Sequence, residues 1–349
     1  MNDYKRIEYI DSLRGFTMIL VVAYHVGGFC LGLEPSVPSI NLFLREFRMP
    51  LFFFISGFVL YKDETVWNLQ YVAKFLLQKK FTAQIITTFF FFSAFIIINE
   101  INIIDGLYDR RKCGFWFTFV LFVFFCIYAT YRYILNRINC KNVFADIIIL
   151  FVGLLLFVSC FSYSVFTQIP IGDGLKNYLS LECWGYFLYF AFGTLFKKYF
   201  HKVQIIIDNT SVLTICLVIF FCINLYYRRF VDSHFTSMFE LITAITGIVI
   251  VFSFFRSHQD WFKKDKRIGR CLQYVGRRTL DIYLLHYFFL PTNLKLYLAF
   301  LSENPMPIIE FTITLSITGI VMIGCLIVSR ILRMSPILSY LLFGVKNRK

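Results

Sequence analysis

The sequence predicts an all-α integral membrane protein with about ten transmembrane helices, and two observations support this fold class. Hydrophobic residues make up 58% of the 349 residues and charged residues only 16%, whereas a soluble domain has about 25% charged residues. Apolar runs of about 17–25 residues also recur along the whole chain, and each can cross a hydrocarbon core about 30 Å thick. We therefore expect residues 1–349 to form a single transmembrane domain.

The predicted spans follow one another with short connections. Only the second is short, because just the stretch from Met49 to Tyr61 is free of charge. It must tilt, lie partly within protein, or extend back through Arg48, Glu46 and Arg45. The spans lie near residues 13–33, 47–61, 81–99, 115–135, 143–161, 179–196, 210–227, 237–255, 279–300 and 309–329.

The net charge of +14 follows membrane topology. With the N-terminus inside, the predicted cytoplasmic segments carry about 26 of the 35 Lys and Arg residues and the outer loops about 8. We therefore expect both termini in the cytoplasm and no nucleic-acid partner. The densest basic cluster, in the loop 256–278, is typical of a topology determinant that contacts anionic lipids. The alternative is that it attracts an anionic cosubstrate such as a nucleotide phosphate.

Neither a cleavable leader nor a metal site is predicted. Residues 2–11 are polar, and the apolar run that follows is too long for a signal-peptide core, so we expect it to remain as a membrane anchor. The ten cysteines are scattered, with no CxxC motif and no His/Cys cluster at metal-ligand spacing. We expect no disulfide framework and no bound metal ion.

The first span contains the strongest candidate site residues, Arg14 and His25. Eleven positions are close to three helical turns, so both side chains lie on one face, about 16 Å apart along the axis. Ionisable residues within a bilayer are functional candidates. A neutral imidazole at His25 can act as a general base in acyl transfer, whereas the alternative is a histidine that only packs between helices.

Arg14 also has two interpretations. It can simply mark the cytoplasmic end of the span, or it can bind a phosphate or carboxylate through two hydrogen bonds. Asp11, three residues earlier, can pair with Arg14 or cap the helix start.

Five blocks of sequence occur in a fixed order over positions 6–286. They are Arg6 to Gly15 with His25, Arg48 to Phe58, Phe115 to Phe122, Tyr186 to Gly193, and Gly276 to His286. In this order the blocks resemble the acyltransferase-3 family of membrane O-acyltransferases, and the last span extends the resemblance over essentially the whole chain.

The resemblance implies a function and a location. Members of this family take an acyl group, usually acetyl, from cytoplasmic acyl-CoA and pass it to a hydroxyl of an envelope or exported glycan. The expected partners are therefore acyl-CoA, a glycan or lipid-linked saccharide acceptor, and membrane lipids, with no permanently bound cofactor. The expected location is the bacterial inner membrane. The resemblance makes Arg14 and His25 the essential pair.

The third span departs from the family pattern. Where the family has an Arg-rich stretch that is thought to contact the CoA phosphates, this chain has Lys79 and Lys80, and Gln84 stands near the position of an expected Arg. Lysine binds phosphate as a point charge without the fork geometry of arginine. Lys79 and Lys80 are candidate donor-binding residues, or they are ordinary cytoplasmic-loop charges.

Three further residues are candidate supporting groups. Ser56, followed by Gly57, is either part of a close helix contact or a site residue. His286 lies in the ninth predicted span with Tyr283 one turn earlier, and it serves either a structural hydrogen bond or catalysis.

Two other classes of protein fit the same pattern. A transporter or exporter of a small anionic or glycan-linked molecule also has many spans with polar groups at the bilayer centre. A non-catalytic partner of a glycan-assembly complex is the third class. Consumption of acyl-CoA distinguishes an acyltransferase from both.

Overall fold

The computed structural model describes residues 7–33, 40–63, 65–139, 143–227, 236–298 and 306–344. Within these ranges the regular structure is helical, with no β-strand, which confirms the predicted all-α class. Contacts between Cα atoms divide the chain into two compact units. The first comprises residues 1–55 and 199–327, and the second comprises residues 56–198 and 328–349. The two termini, 1–6 and 345–349, lie outside the described residues, so their cytoplasmic position stays a prediction.

The helices of the N-terminal part include two stretches of π-helix and two short 3-10 helices. In chain order they are α1 (Glu8–His25), a π-helical stretch (Val26–Cys30), α2 (Ile40–Leu60), α3 (Leu69–Ala73), a second π-helical stretch (Lys74–Ile86), α4 (Thr87–Ile98), α5 (Ile103–Tyr108), a 3-10 turn (Lys112–Gly114), α6 (Trp116–Arg137), α7 (Val143–Phe161), α8 (Tyr163–Gln168), α9 (Asp173–Tyr178), a second 3-10 helix (Leu181–Tyr186) and α10 (Phe187–Lys198).

The C-terminal part continues with further α-helices and one 3-10 turn. They are α11 (Phe200–Ile207), α12 (Thr210–Tyr227), α13 (Thr236–Ser257), α14 (Arg267–Arg277), α15 (Thr279–Leu285), the 3-10 turn His286–Phe289, α16 (Leu294–Leu298), α17 (Pro307–Leu332) and α18 (Pro336–Phe343).

The described residues contain six helices that are long and apolar enough to cross a membrane. A seventh candidate is the pair α11 and α12, which is bent by 73° at a short break. The protein is therefore a multi-pass membrane protein, and the predicted number of ten spans is not confirmed within the part of the chain that the structure describes. The six are Glu8–Cys30, Leu69–Ile98, Trp116–Arg137, Val143–Phe161, Ser237–Ser257 and Pro307–Leu332.

The second predicted span, 47–61, belongs to a longer helix. The 21 residues of α2 extend back through Arg45, Glu46 and Arg48, which is one of the three alternatives open from the sequence. These charges have partners inside the first unit. Arg45 approaches the carboxylate of Glu240 to 3.7 Å, for example. Three charged positions in one helix explain why a hydropathy criterion does not select α2 as a span.

The ninth predicted span, 279–300, is not one continuous helix. The α-helical geometry of α15 ends at Leu285 and is followed by the 3-10 turn, after which Leu290 is extended. The helix type therefore changes at His286. In the same way α1 changes to π-helix directly after His25. Short stretches of π- and 3-10 helix within longer helices are frequent at functional sites.

The core of the first unit is built on a close crossing of α1 and α14. A Cβ atom at Gly15 would lie 2.1 Å from the carbonyl oxygen of Leu272, and one at Gly276 would lie 1.9 Å from the carbonyl oxygen of Asp11. Each glycine thus packs directly on the backbone of the other helix, as small residues do at helix contacts in membranes. The start of α1 is also tied to the loop before α14, since the Lys264 backbone N–H donates to the Glu8 carboxylate over 2.9 Å.

The second unit contains a comparable contact between α2 and α10. A Cβ atom at Gly57 would lie 2.0 Å from the carbonyl oxygen of Phe190. Lys198 at the end of α10 pairs with the buried Asp146 of α7 over 2.6 Å. The Ser56–Gly57 sequence is therefore, through its glycine, a close helix contact.

We predict that Gly15→Ala destabilises the protein and that Gly319→Ala, the matched control, does not. The new methyl group at residue 15 has to displace backbone and should lower the free energy of unfolding by about 1–3 kcal/mol or more. Gly319 also lies in a helix but has no atom within 4 Å of an added Cβ. Thermal unfolding of the purified protein in detergent, followed by size-exclusion chromatography, measures the difference. Equal midpoints for the two variants would contradict the role given to the crossing.

Candidate active site

Two histidines and a tyrosine come together in the first unit. The side-chain nitrogen Nε2 of His25 lies 3.2 Å from the hydroxyl of Tyr287. The ring centroids of His25 and His286 are 5.2 Å apart, and those of His286 and Tyr287 are 4.1 Å apart. His25 is the last residue of α1, while His286 and Tyr287 begin the 3-10 turn after α15. The changes of helix type described above thus fall at the histidines themselves.

His286 is fully buried and its hydrogen bonds define its tautomer. Its Nδ1 lies 2.8 Å from the carbonyl oxygen of Tyr283 and 3.2 Å from that of Ile282. Carbonyl oxygens only accept hydrogen bonds, so Nδ1 carries the proton and Nε2 carries a lone pair. That Nε2 is buried and has no hydrogen-bond partner among the described residues. An unpaired acceptor inside a protein is unusual and suggests a site for a polar group or a proton.

Aromatic rings surround His25. The ring of Phe29 stacks on it at 5.8 Å, and the ring of Tyr24 meets it edge-on at 5.6 Å. The guanidinium carbon of Arg48 in turn lies 3.4 Å from the centre of the Tyr24 ring, a cation–π contact. Arg48 of α2 is therefore held close to the histidine end of α1.

The buried side chain of Asn41 braces the backbone around His25. Its amide Nδ2 donates to the carbonyl oxygens of Tyr24 and Leu33, each over 3.3 Å. A Cβ atom at Gly27 would lie 2.2 Å from the Asn41 Oδ1, so the glycine leaves room for this side chain. The π-helical stretch and the start of α2 therefore fix the position of the imidazole together.

Arg14 forms a second polar cluster on the same helix. Its Nη2 donates to the hydroxyl of Thr279 over 3.2 Å, and its Nη1 lies 4.0 Å from the Oδ1 of Asp11. Asp11 is buried, whereas the Arg14 side chain retains 31% exposure. Asp11 therefore faces Arg14, which is the first of the two roles considered for it. The guanidinium is anchored on one side and accessible on the other.

The two clusters show that α1 and α15 run side by side in the same direction. Arg14 meets Thr279 at the start of α15, and His25 meets Tyr287 just after its end. The two levels are about 16 Å apart along α1, at about 1.5 Å per residue. The site therefore has a cationic end and an imidazole end. Tyr283 lies between Thr279 and Tyr287 in the sequence. It is buried, and its ring centroid is 6.0 Å from that of His286.

The remaining predicted site residues belong to the second unit. Ser56 is half-buried beside the close contact at Gly57. Lys79 is exposed in the second π-helical stretch, and Lys80 places its Nζ 3.8 Å from the centre of the Phe125 ring. Gln84, which stands near the position of an expected Arg, has a buried Oε1 with no hydrogen-bond partner among the described residues.

The second unit also contains a basic and aromatic cluster that the sequence did not single out. The guanidinium of Arg132 lies 5.4 Å from the ring centre of Tyr61 and 5.9 Å from those of Trp67 and Tyr128. It also donates to the Tyr128 hydroxyl over 3.1 Å. Tyr128 and Arg132 are one helical turn apart on α6, but no spacing rule connects them with Tyr61 and Trp67, which lie in the segment between α2 and α3.

Sequence reasoning also missed Thr279 and Tyr287, although both adjoin the Gly276 to His286 block or lie in it. Thr279 lies near the start of that block, three residues after Gly276, and Tyr287 follows its last residue. The sequence did contain a signal for both. A threonine at the start of a span and a tyrosine next to an intramembrane histidine are side chains that commonly hydrogen-bond to ionisable residues in a membrane.

The fold and the site thus define a helical multi-pass membrane protein in which a half-buried histidine, His25, lies beside a buried one, His286, with a separate cationic end. The family model described as an acyltransferase domain, of the acyltransferase-3 type, matches residues 7–330. Because the match covers nearly the whole chain, the protein belongs to the acyltransferase-3 family and is a membrane acyltransferase. Neither the search of curated proteins nor that of solved structures gave a match.

We predict that His286→Asn and His286→Leu separate structure from chemistry. The amide Nδ2 of Asn can replace the Nδ1–H donor but supplies no equivalent of Nε2, whereas Leu supplies neither. The Asn variant should therefore unfold near the wild-type temperature, while the Leu variant loses about 1 kcal/mol. Acyl transfer by both should fall. Full activity in the Asn variant would show that the Nε2 lone pair has no part in catalysis.

Proposed function

We propose that this membrane acyltransferase moves an acyl group, acetyl in the simplest case, from cytoplasmic acyl-CoA to a hydroxyl of an envelope or exported glycan, and that it does so in a bacterial inner membrane. The observation that carries the proposal is the cluster of His25, His286 and Tyr287 within a chain of the acyltransferase-3 family. A base next to a hydrogen-bonding hydroxyl is what deprotonation of a sugar hydroxyl requires.

The proposed reaction balances within the two substrates. The acceptor hydroxyl oxygen attacks the thioester carbonyl carbon, a C–O bond forms, and the C–S bond breaks. The hydroxyl proton passes to the Nε2 of His25 and from there to the CoA thiolate that leaves. A thioester is already an activated donor, so positioning and proton transfer are the contributions that the side chains make.

Tyr287 and His286 support His25 in this scheme. While the Tyr287 hydroxyl donates to His25 Nε2, it keeps the imidazole in the tautomer that can accept a proton at that atom. His286 contributes a buried lone pair beside the ring of His25. We assign it to holding the acceptor hydroxyl or the transferred proton, and Tyr283 to positioning His286 through its carbonyl oxygen.

The Arg14 end is the proposed approach of the acyl donor. CoA carries phosphate groups, and a guanidinium binds phosphate oxygens through two parallel hydrogen bonds. Asp11 and Thr279 orient Arg14 from one side and leave the other side exposed. The basic loop before α14 adjoins the start of α1, because Lys264 is tied to Glu8. Its positive charge strengthens the attraction for an anionic donor.

Lys79 and Lys80 have unequal prospects as donor ligands. Lys79 is exposed and free to attract phosphate, while Lys80 lies against the Phe125 ring. We propose that Lys79 is the more accessible of the two lysines and contacts the donor phosphates, while Lys80 contributes only positive charge. Arg132, which also carries a guanidinium, is a further candidate in the same unit.

Transport of a small anionic molecule is the second candidate function. One observation favours it, since discontinuous helices with polar groups are typical of transporters. The α11–α12 pair is bent by 73°, and the segment from His286 to Asn293 interrupts the ninth predicted span. Flux into vesicles without acyl-CoA would support transport, whereas consumption of acyl-CoA with acylation of a glycan supports the first proposal.

We predict that His25→Ala abolishes acyl transfer while the protein still inserts. Loss of a general base should lower the rate by about 100-fold or more. Cells that lack the gene are complemented with wild type, His25→Ala or His201→Ala, and their surface glycans are analysed by mass spectrometry. His201 is the matched control because it is an exposed histidine of α11. Restoration of the acyl mass increment by His25→Ala would refute the catalytic role of His25. If the increment never depends on the gene, the acceptor class is wrong.

A second prediction concerns the donor end. Arg14→Lys keeps the charge but loses the two-pronged geometry, so the KM for acyl-CoA should rise about tenfold with a smaller change in kcat. Arg277→Lys, at an exposed position of α14, serves as the control. Initial rates in membrane vesicles at varied acyl-CoA measure both constants. An unchanged KM would leave Arg14 with a topological role only.

A further inference from the structure

The last long helix, α17, carries a buried polar face that the proposed reaction has not yet used. Glu310, Thr314 and Thr318 follow one another at intervals of four residues, so they lie on one side of the helix. Their exposures are 1%, 0% and 2%. Each has an oxygen with no hydrogen-bond partner among the described residues, namely Oε2 of the glutamate and Oγ1 of each threonine.

Two other hydroxyl residues on the same helix show that this is unusual. Thr312 and Ser316 lie on the exposed side, and each donates over 2.8 Å to the carbonyl oxygen four residues earlier. That local bond is the ordinary way for a hydroxyl in a helix to satisfy itself in an apolar environment. Thr314 and Thr318 have the same helical backbone available and do not use it.

Helix α17 contacts the turn that begins with His286. A Cβ atom at Gly324 would lie 3.0 Å from the ring of Phe289, the last residue of the turn that begins with His286. Thr318 precedes Gly324 by six residues, or about 9 Å along the axis, and Glu310 precedes it by about 21 Å. Along the axis, the polar face therefore extends from about 9 Å beyond the level of Phe289 to the first turn of α17.

The spacing of the three residues selects the kind of ligand. Side chains one turn apart have Cβ atoms about 5–6 Å from each other, and a metal ion needs its oxygen ligands within about 2.6 Å. One ion cannot bridge a face about 12 Å long between Glu310 and Thr318. A chain of hydroxyl groups can, because each hydroxyl donates to a carboxylate or threonine oxygen and accepts from a threonine O–H.

We propose that Glu310, Thr314 and Thr318 bind the hydroxyl groups of the saccharide acceptor and guide it to His25 and His286. The inference rests on the proposed function, since it names the binding surface for the acceptor of that reaction. In the predicted topology α17 begins on the outer side of the membrane, so the surface leads from the side opposite the donor.

The first test measures whether the face is open to polar molecules, and it requires no substrate. Cysteine is introduced singly at Thr314, Thr318 and Thr312 in the full-length protein in membrane vesicles. A membrane-impermeant methanethiosulfonate is added, and peptide mass spectrometry quantifies labelling at each position, so the native cysteines do not interfere. Positions 314 and 318 are enclosed in this structure, so their labelling requires that the face opens to admit the acceptor. We expect Thr314→Cys and Thr318→Cys to be labelled, and at least tenfold faster than Thr312→Cys, which faces away from the proposed path.

The second test measures binding of the acceptor. Vesicles from cells lacking the gene, which contain their own glycan, receive radiolabelled acetyl-CoA and one of two variants. The double substitution Thr314→Val with Thr318→Val removes two hydroxyls at constant shape and should lower incorporation into glycan about tenfold. Thr312→Val with Ser316→Ala, on the exposed side, should leave it unchanged. The acetyl-CoA concentration at half-saturation should stay the same in both.

The outcomes separate the two proposals. Slow labelling at residues 314 and 318, or equal incorporation by the two double variants, overturns the acceptor surface while the acyltransferase activity stands. A rise in the half-saturating acetyl-CoA concentration would also overturn it, since the face would then serve the donor. If wild-type vesicles incorporate no label while fast thiol labelling persists, the proposed function fails and the face is a polar path for another molecule.

Because the buried hydroxyls lack partners, Thr→Val should not lower the unfolding temperature, and a large decrease would reveal a structural role instead.

Discussion

The contact of α1 with α14 through Gly15 and Gly276 is the constraint on which the site depends. Because backbone lies against backbone, the two helices cannot slide without a clash, and the height of α1 is fixed. Helix α15 follows α14 after a single residue, so its position along the axis of α1 is fixed as well. Arg14 then faces Thr279, and His25 faces Tyr287, without any further adjustment. A contact that contains none of the candidate site residues thus determines which of those residues meet.

Changes of helix type complete the arrangement. Within a regular α-helix the side chains follow a period of 3.6 residues, and each backbone N–H is hydrogen-bonded to the carbonyl oxygen four residues earlier. At His25 and His286 the ladder changes to π- and 3-10 geometry, which reorients the side chains. Asn41 supplies hydrogen bonds to the altered backbone from a neighbouring helix. The local irregularity is therefore supported by tertiary contacts rather than by the sequence of the helix itself.

The class of fold and the candidate pair on α1 could be read from the sequence, because apolar run length and helical spacing are local properties. The long helices confirm this for six of the spans. The ninth predicted span could not be read correctly, since the hydropathy of residues 279–300 does not reveal a change of helix type at His286. The proximity of His25 and His286 was equally inaccessible, because 261 residues of chain separate two side chains that only tertiary packing brings together.

The polar face of α17 shows a second limit of sequence reasoning. In the sequence, one glutamate and two threonines in an apolar span look like single polar residues without a function. Thr312 and Ser316 on the same helix look the same. Only burial and the absence of the usual local hydrogen bond among the described residues separate one group from the other. Pattern gives the face of a helix, whereas the environment of that face comes from the rest of the chain.

Placing Arg14 and His25 on one rigid helix makes α1 a molecular ruler. The separation of about 16 Å between the two levels cannot stretch, since the intervening turns are regular α-helix. If the donor's phosphates rest at one end and its thioester reacts at the other, the carrier must have a flexible arm of matching reach. A small donor such as acetyl phosphate, in which the acyl group and the phosphate are joined directly, cannot occupy both ends at once. Discrimination between donors would then follow from length, before any contact with the acyl group itself.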